Sequence, residues 1–244
     1  MLEGISLSVM VYGLAVVAVA YFVRGVAGFG SGLIAVPLLL MRLPIDVVVP
    51  VVVLLDYIAS ASQGLKNWQA IVWRDIWPTL PFMVLGVLAA LYVFHAFNAK
   101  ILTNSLAVFI VLFAIYQLLA KAPHRSESRL WAVPAGGFGG SVGTLFGTGG
   151  PFYVAYLQLR GHEKAAFRAT FATLFLIDGG NRLAGYLITG LFGLKELTFA
   201  AMFLPVMAVS LYAGGHVHLK TSPEAFKRAI SVLLIASGIV LLLR

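Results

Sequence analysis

The chain has 244 residues, 61 % hydrophobic and only 11 % charged, and its 17 Lys and Arg against 9 Asp and Glu leave a formal charge of +8. A soluble domain carries about 25 % charged residues, so this composition excludes one; it equally excludes a disordered chain, which needs low hydrophobicity. With no cysteine in the sequence, disulfides, thiolate metal sites and a cysteine nucleophile are excluded as well.

The apolar residues fall into long runs. In chain order the first half offers Ser6–Arg24, Phe29–Leu43, Pro44–Gly64, Ile76–Phe94 and Ile101–Ala120. The second half offers Leu130–Leu145, Pro151–Leu159, Ala165–Thr189, Leu197–Gly215 and Ala225–Leu243. A membrane-spanning helix needs about 20 mostly apolar residues. These runs are apolar on nearly every face, unlike the alternating strands of a membrane barrel. The first run has no basic start and no clear cleavage site after it, which argues against a signal peptide. The expected fold class is an all-α polytopic membrane protein whose partner is the lipid bilayer, not nucleic acid.

The halves repeat. Phe29-Gly30-Ser31-Gly32 aligns with Phe146-Gly147-Thr148-Gly149, and Leu80-Pro81-Phe82-Met83 aligns with Leu204-Pro205-Val206-Met207. Leu55-Asp56 and Ile177-Asp178 are a weaker match between them. Chance likeness among apolar segments is the bland alternative, but Gly, Pro and hydroxyl positions recur in the same order. This predicts an N-terminal membrane repeat over residues 1–120, a basic linker over 121–129, and a C-terminal membrane repeat over 130–244.

Charge decides how many segments each repeat holds, because Lys and Arg collect on the cytoplasmic side. If the stretches Gly25–Gly28 and Gly147–Gly150 are reversals, each half has five segments. One face then collects Lys66, Arg74, Lys121, Arg125, Arg129, Arg160, Lys164, Arg168, Lys220, Lys227 and Arg228, and the other only Arg42, Lys100, Lys195 and Arg244. If each stretch lies inside one continuous span, the split is eight against seven and the bias vanishes. Five segments per half therefore explain the charges. They make the two repeats inverted, put the linker in the cytoplasm and both termini outside it, and give each repeat a broken or re-entrant glycine-rich hairpin. Inverted repeats of this kind are a recurrent transporter architecture in the cytoplasmic (inner) membrane.

Within the first stretch, glycines permit close backbone approach and positive φ. In the second, Pro151 suits the start of a helix, and the matching helix should begin near Ser31. Irregular backbone at membrane depth survives only where protein buries it or it lines a wet cavity. Helix N-termini bind anions through exposed N–H groups. Two such ends make a midplane anion site lined by Gly30, Ser31, Gly32, Gly147, Thr148, Gly149 and Gly150. The alternative is tight helix packing by small residues, which repetition in both halves disfavours. A dinucleotide fingerprint fails on spacing and on the missing strand.

The stretch Gly25–Leu40, GVAGFGSGLIAVPLLL, resembles the signature of the TauE/SafE family of sulfite exporters, and Gly147-Thr-Gly-Gly-Pro151 resembles that family's second motif. Segment number, size and duplication agree over essentially the whole chain. The resemblance implies secondary transport of sulfur-containing anions: sulfite, sulfoacetate and other small organosulfonates. Family members are usually described with about eight spans, so the two extra reversals come from the charge count. The motif is specific for the family and poorly specific for substrate.

Four ionisable residues fall at membrane depth, where a charge costs about 2.5–3.5 kcal/mol on insertion scales: Arg24, Asp56, Asp178 and Arg182. Arg24 precedes the first glycine stretch and offers paired donors to an oxyanion, or else snorkels to an interface. Asp178 and Arg182 are four apart and so share a helix face, with Asn181 beside them. They form either a structural pair or, with Asp56, a path for a coupling proton. The five histidines read as interfacial, without the convergence a metal needs. Trp68, Trp73, Trp77 and Trp131 mark segment ends, as an aromatic belt does.

The sequence thus predicts a secondary carrier, not an enzyme, for a small sulfur-containing anion such as sulfite or sulfoacetate. Export by alternating access around the midplane site is the favoured direction. It needs no cofactor, has protons as candidate coupling ion, and is a monomer or homodimer. The alternatives are a passive anion channel and a permease for another small organic anion.

Overall fold

The computed structural model describes residues 6–119, 128–217 and 223–243; most of the linker, 121–127, lies outside them. The described residues are helical throughout, with no strand among them. The helices are α1 (Leu7–Ala27), α2 (Ser31–Leu39), α3 (Ile45–Gly64), α4 (Trp73–Ile76), α5 (Leu80–Ala96), α6 (Ala99–Leu119), α7 (Ala132–Phe146), α8 (Gly150–Leu159), α9 (Lys164–Ile188), α10 (Leu194–His216) and α11 (Pro223–Leu242), with three 3-10 turns. Each apolar run of the sequence has become a helix. Among the described residues, five segments are long and apolar enough to cross a membrane: Leu7–Ala27, Ile45–Ser62, Trp73–Ala96, Ala99–Leu119 and Leu194–His216.

The helices after the glycine breaks are short. At about 1.5 Å per residue, nine residues of α2 and ten of α8 reach only about 15 Å, half of a hydrocarbon core about 30 Å thick. Both fold back on the helix before them. Tyr12 in α1 donates its hydroxyl to the carbonyl of Leu38 in α2 at 2.7 Å. Along a continuous helix, 26 residues would separate those groups by about 39 Å. Phe138 of α7 stacks on Phe152 of α8 with ring centroids 5.8 Å apart, where a straight helix would hold them about 21 Å apart. The glycine stretches are therefore reversals, and each makes a hairpin of one long and one short helix.

The chain divides into two compact units, which the backbone enters and leaves more than once. Unit one comprises residues 1–52, 97–121 and 194–244; unit two comprises 53–96 and 122–193. In unit one, α1 packs on α10 and α6 on α11. The α1–α10 approach is backbone to backbone: a Cβ on Gly25 would sit 2.5 Å from the Leu211 carbonyl oxygen, and one on Gly214 would overlap the Phe22 carbonyl. In unit two, α5 packs on α7, again through glycine, since a Cβ on Gly140 would lie 2.5 Å from the Met83 carbonyl oxygen. Small residues let membrane helices make such close contacts. If the repeat read from the sequence holds, α1 corresponds to α7 and α10 to α5.

The core of each unit is aliphatic and aromatic. Val17, Ile34, Val36, Leu39 and Val49 are buried in unit one, and Met83, Tyr153, Leu157 and Leu174 in unit two. Many large apolar side chains face outward instead, among them Leu85, Tyr92, Leu112, Ile188 and Val209, the pattern of a surface solvated by lipid. Trp68, Trp73, Trp77 and Trp131 are all exposed at segment ends.

Candidate anion site

In unit one the break is built from local backbone chemistry. Gly28 takes φ 87 and donates its N–H to the Arg24 carbonyl at 2.6 Å, closing α1. Gly30 takes φ 97 and caps α2; only glycine adopts such angles without strain. The first residue of α2, Ser31, is buried, and so is Arg24, which is 2 % exposed. Arg24 Nη1 donates to Ser31 Oγ at 3.1 Å. A guanidinium therefore lies against the first turn of α2, whose leading N–H groups have no partner within the helix. Arg24 does not snorkel outward.

Unit two repeats the arrangement with different parts. Gly147 takes φ 65 and donates to the Gly143 carbonyl at 2.8 Å, closing α7. Gly149 caps α8, with Gly150 and Pro151 in its first turn. The guanidinium here comes from α9. Arg182 is 1 % exposed, forms an ion pair with Asp178 one turn before it, and donates from Nη2 to the Gly139 carbonyl at 3.3 Å. Its Cζ stands 5.5 Å from the Phe175 ring centroid. A Cβ on Gly143 would overlap the guanidinium, and one on Gly149 would come within 2.6 Å of Arg182 Nη2. These two glycines are the cradle in which the charge sits, beside the N-terminus of α8.

Each short helix thus begins beside a buried arginine and a buried hydroxyl residue, Ser31 or Thr148. Arg24, Gly30, Ser31 and Gly32 come together in unit one. Gly147, Thr148, Gly149, Gly150, Asp178 and Arg182 come together in unit two. Asp56 is buried on α3 within electrostatic reach of Arg182, where Tyr57 packs against Gly179. Asn181 turns aside, its amide 3.6 Å from the Met83 sulfur.

This chain belongs to the TauE/SafE family of sulfite exporters. The family model, described as sulfite exporter TauE/SafE, matches residues 13–241. The chain is also 30 % identical over 195 residues to a probable inner membrane transporter protein TsaS of Comamonas testosteroni, covering 77 % of this chain and 80 % of that protein. No solved structure matches. As a TauE/SafE protein the chain is an integral membrane transporter and not an enzyme.

Two features of this TauE/SafE chain escaped the sequence reading. One is Tyr153, fully buried on α8 with its ring against Gly139; nothing distinguishes it in sequence from any other apolar-face tyrosine. The other is Asp75 on α4, fully buried and held by three side chains: the guanidinium groups of Arg129 at 3.5 Å and Arg160 at 3.3 Å, and the imidazole of His162 at 2.7 Å. Tyr156 of α8 also donates to the Asp75 backbone carbonyl at 3.1 Å. The signal was an acid at the edge of the most basic face of the sequence. His162 belongs to this cluster, where the sequence alone read it as interfacial.

Proposed function

We propose that the protein is a secondary carrier for small sulfur-containing anions, sulfite or organosulfonates such as sulfoacetate, working by alternating access in the direction of export. The observation that carries this reading is the recurrence, in both units, of a short helix that starts at a glycine break beside a buried arginine. A helix N-terminus carries about half a positive charge, and a guanidinium offers parallel donors that suit the oxygens of a sulfite or sulfonate. Arg24, Gly30, Ser31 and Gly32 line one anion-binding helix end, in unit one, and Gly147, Thr148, Gly149 and Gly150 line another, in unit two. In this reading the two repeats are inverted. The family and the TsaS relative support transport of this general class.

Asp178 and Arg182 act as a structural pair; the second reading makes Asp178, with Asp56, a path for a coupling proton. The protein acts as a monomer or homodimer. The test is flux into proteoliposomes containing the purified protein. Sulfite or sulfoacetate uptake should be concentrative under an imposed proton gradient and collapse when the gradient is removed. Downhill flux alone, indifferent to the gradient, would establish a passive channel in its place.

A further inference from the structure

The N-terminus of α8 gathers polar atoms that the protein leaves unmatched. Thr148 Oγ1, Tyr153 Oη and Arg182 Nε are all buried and have no hydrogen-bond partner among the described residues. Three elements bring them to one place. Tyr153 packs its ring on Gly139 of α7, Arg182 of α9 donates to that same Gly139 carbonyl, and Gly149, next to Thr148, abuts both the carbonyl and the guanidinium. Leaving one buried polar atom unmet costs about 1–3 kcal/mol, so three at one point mark a place shaped for something else. All three are able to donate. The neighbouring unmatched acceptor, Asp178 Oδ1, belongs to a carboxylate already paired with Arg182.

We propose that Tyr153 is a substrate-binding residue, its phenol donating to an oxygen of the sulfite or sulfonate group at the N-terminus of α8 together with Thr148. This rests on the carrier reading above. Tyr153 acts as a neutral donor that reads the position of an oxygen without adding charge, and its ring fixes the hydroxyl because Gly139 leaves room for nothing larger. A tyrosine with a purely structural role would have given its hydroxyl a protein acceptor, as Tyr186 does on the Thr144 carbonyl.

The test is Tyr153→Phe in the full-length purified protein, with titration calorimetry against sulfite, sulfoacetate and taurine and a melting curve without added anion. Loss of a hydrogen bond to a charged group should weaken binding of sulfite or sulfoacetate about ten-fold or more. The melting temperature should stay unchanged or rise, because the variant no longer buries an unmatched hydroxyl. Thr148→Val should weaken binding in the same direction. Affinity within two-fold of the unaltered protein, or failure of Tyr153→Phe to fold, overturns the role of Tyr153 and leaves the carrier reading standing. An unaltered protein that binds none of the three anions overturns the carrier reading itself.

Discussion

At the scale of single residues, the buried charges are held by space as much as by pairing. Arg182 fits only because Gly143 and Gly149 lack side chains, and Asp178 neutralises it one helical turn away. Removing either partner strands a charge in a low-dielectric interior, at about 3–5 kcal/mol. Asp178→Asn and Arg182→Gln should therefore each lower the yield of folded protein, and the double variant should recover it, as size-exclusion profiles of detergent extracts will report. If Asp178 instead carries the coupling proton, Asp178→Asn will stay folded and keep anion exchange but lose gradient-driven flux. Neighbouring glycines should also part company. A Cβ on Gly149 overlaps the Gly139 carbonyl, whereas one on Gly150 meets only the Phe175 and Phe171 rings at 3.5 and 3.8 Å. Gly149→Ala should thus abolish folded protein, while Gly150→Ala should fold normally and weaken anion binding by crowding the first turn of α8.

At the scale of elements, the short helix α8 is fixed at both ends by different chemistry. Its N-terminus is set by the glycine break and the Arg182 cradle. Its C-terminal side is tied down by Asp75, which gathers Arg160, His162 and Arg129 around one buried carboxylate. Cations also suit a helix C-terminus, where the dipole is negative. Asp75→Asn removes the charge from this cluster and leaves the Tyr156 bond to the backbone intact. We expect a lower melting temperature, by the equivalent of about 3 kcal/mol, and faster hydrogen exchange over residues 156–163 than over α5 and α7. Unchanged exchange there would show that packing alone holds the helix.

At the scale of the whole molecule, the charge distribution argues for an orientation that the helices alone do not give. From the eleven cations on one predicted face against four on the other, we propose that the linker is cytoplasmic and both termini are outside. Since the chain has no cysteine, a single Ser126→Cys variant reports on the linker without background. It should resist a membrane-impermeant maleimide in intact cells and react after the membrane is opened. Labelling in intact cells would overturn the five-segment orientation.

The sequence by itself determined what depends on neighbouring residues. Run lengths and hydropathy set the helices, and the glycines at 28, 30 and 147 set the breaks, because a positive φ is a property of one residue's backbone. That α8 opens at Gly150 and Pro151 and α2 at Ser31 was legible for the same reason, as was the i, i+4 pairing of Asp178 with Arg182. Only the tertiary structure decided which helices touch. It set α1 against α10 and α5 against α7, brought Asp75 to Arg160 and His162 across 85 and 87 positions, and left the Tyr153 hydroxyl without an acceptor among the described residues. These are contacts between distant segments, selected by the fit of small residues and the need to match buried charge. No local pattern of hydropathy encodes either one.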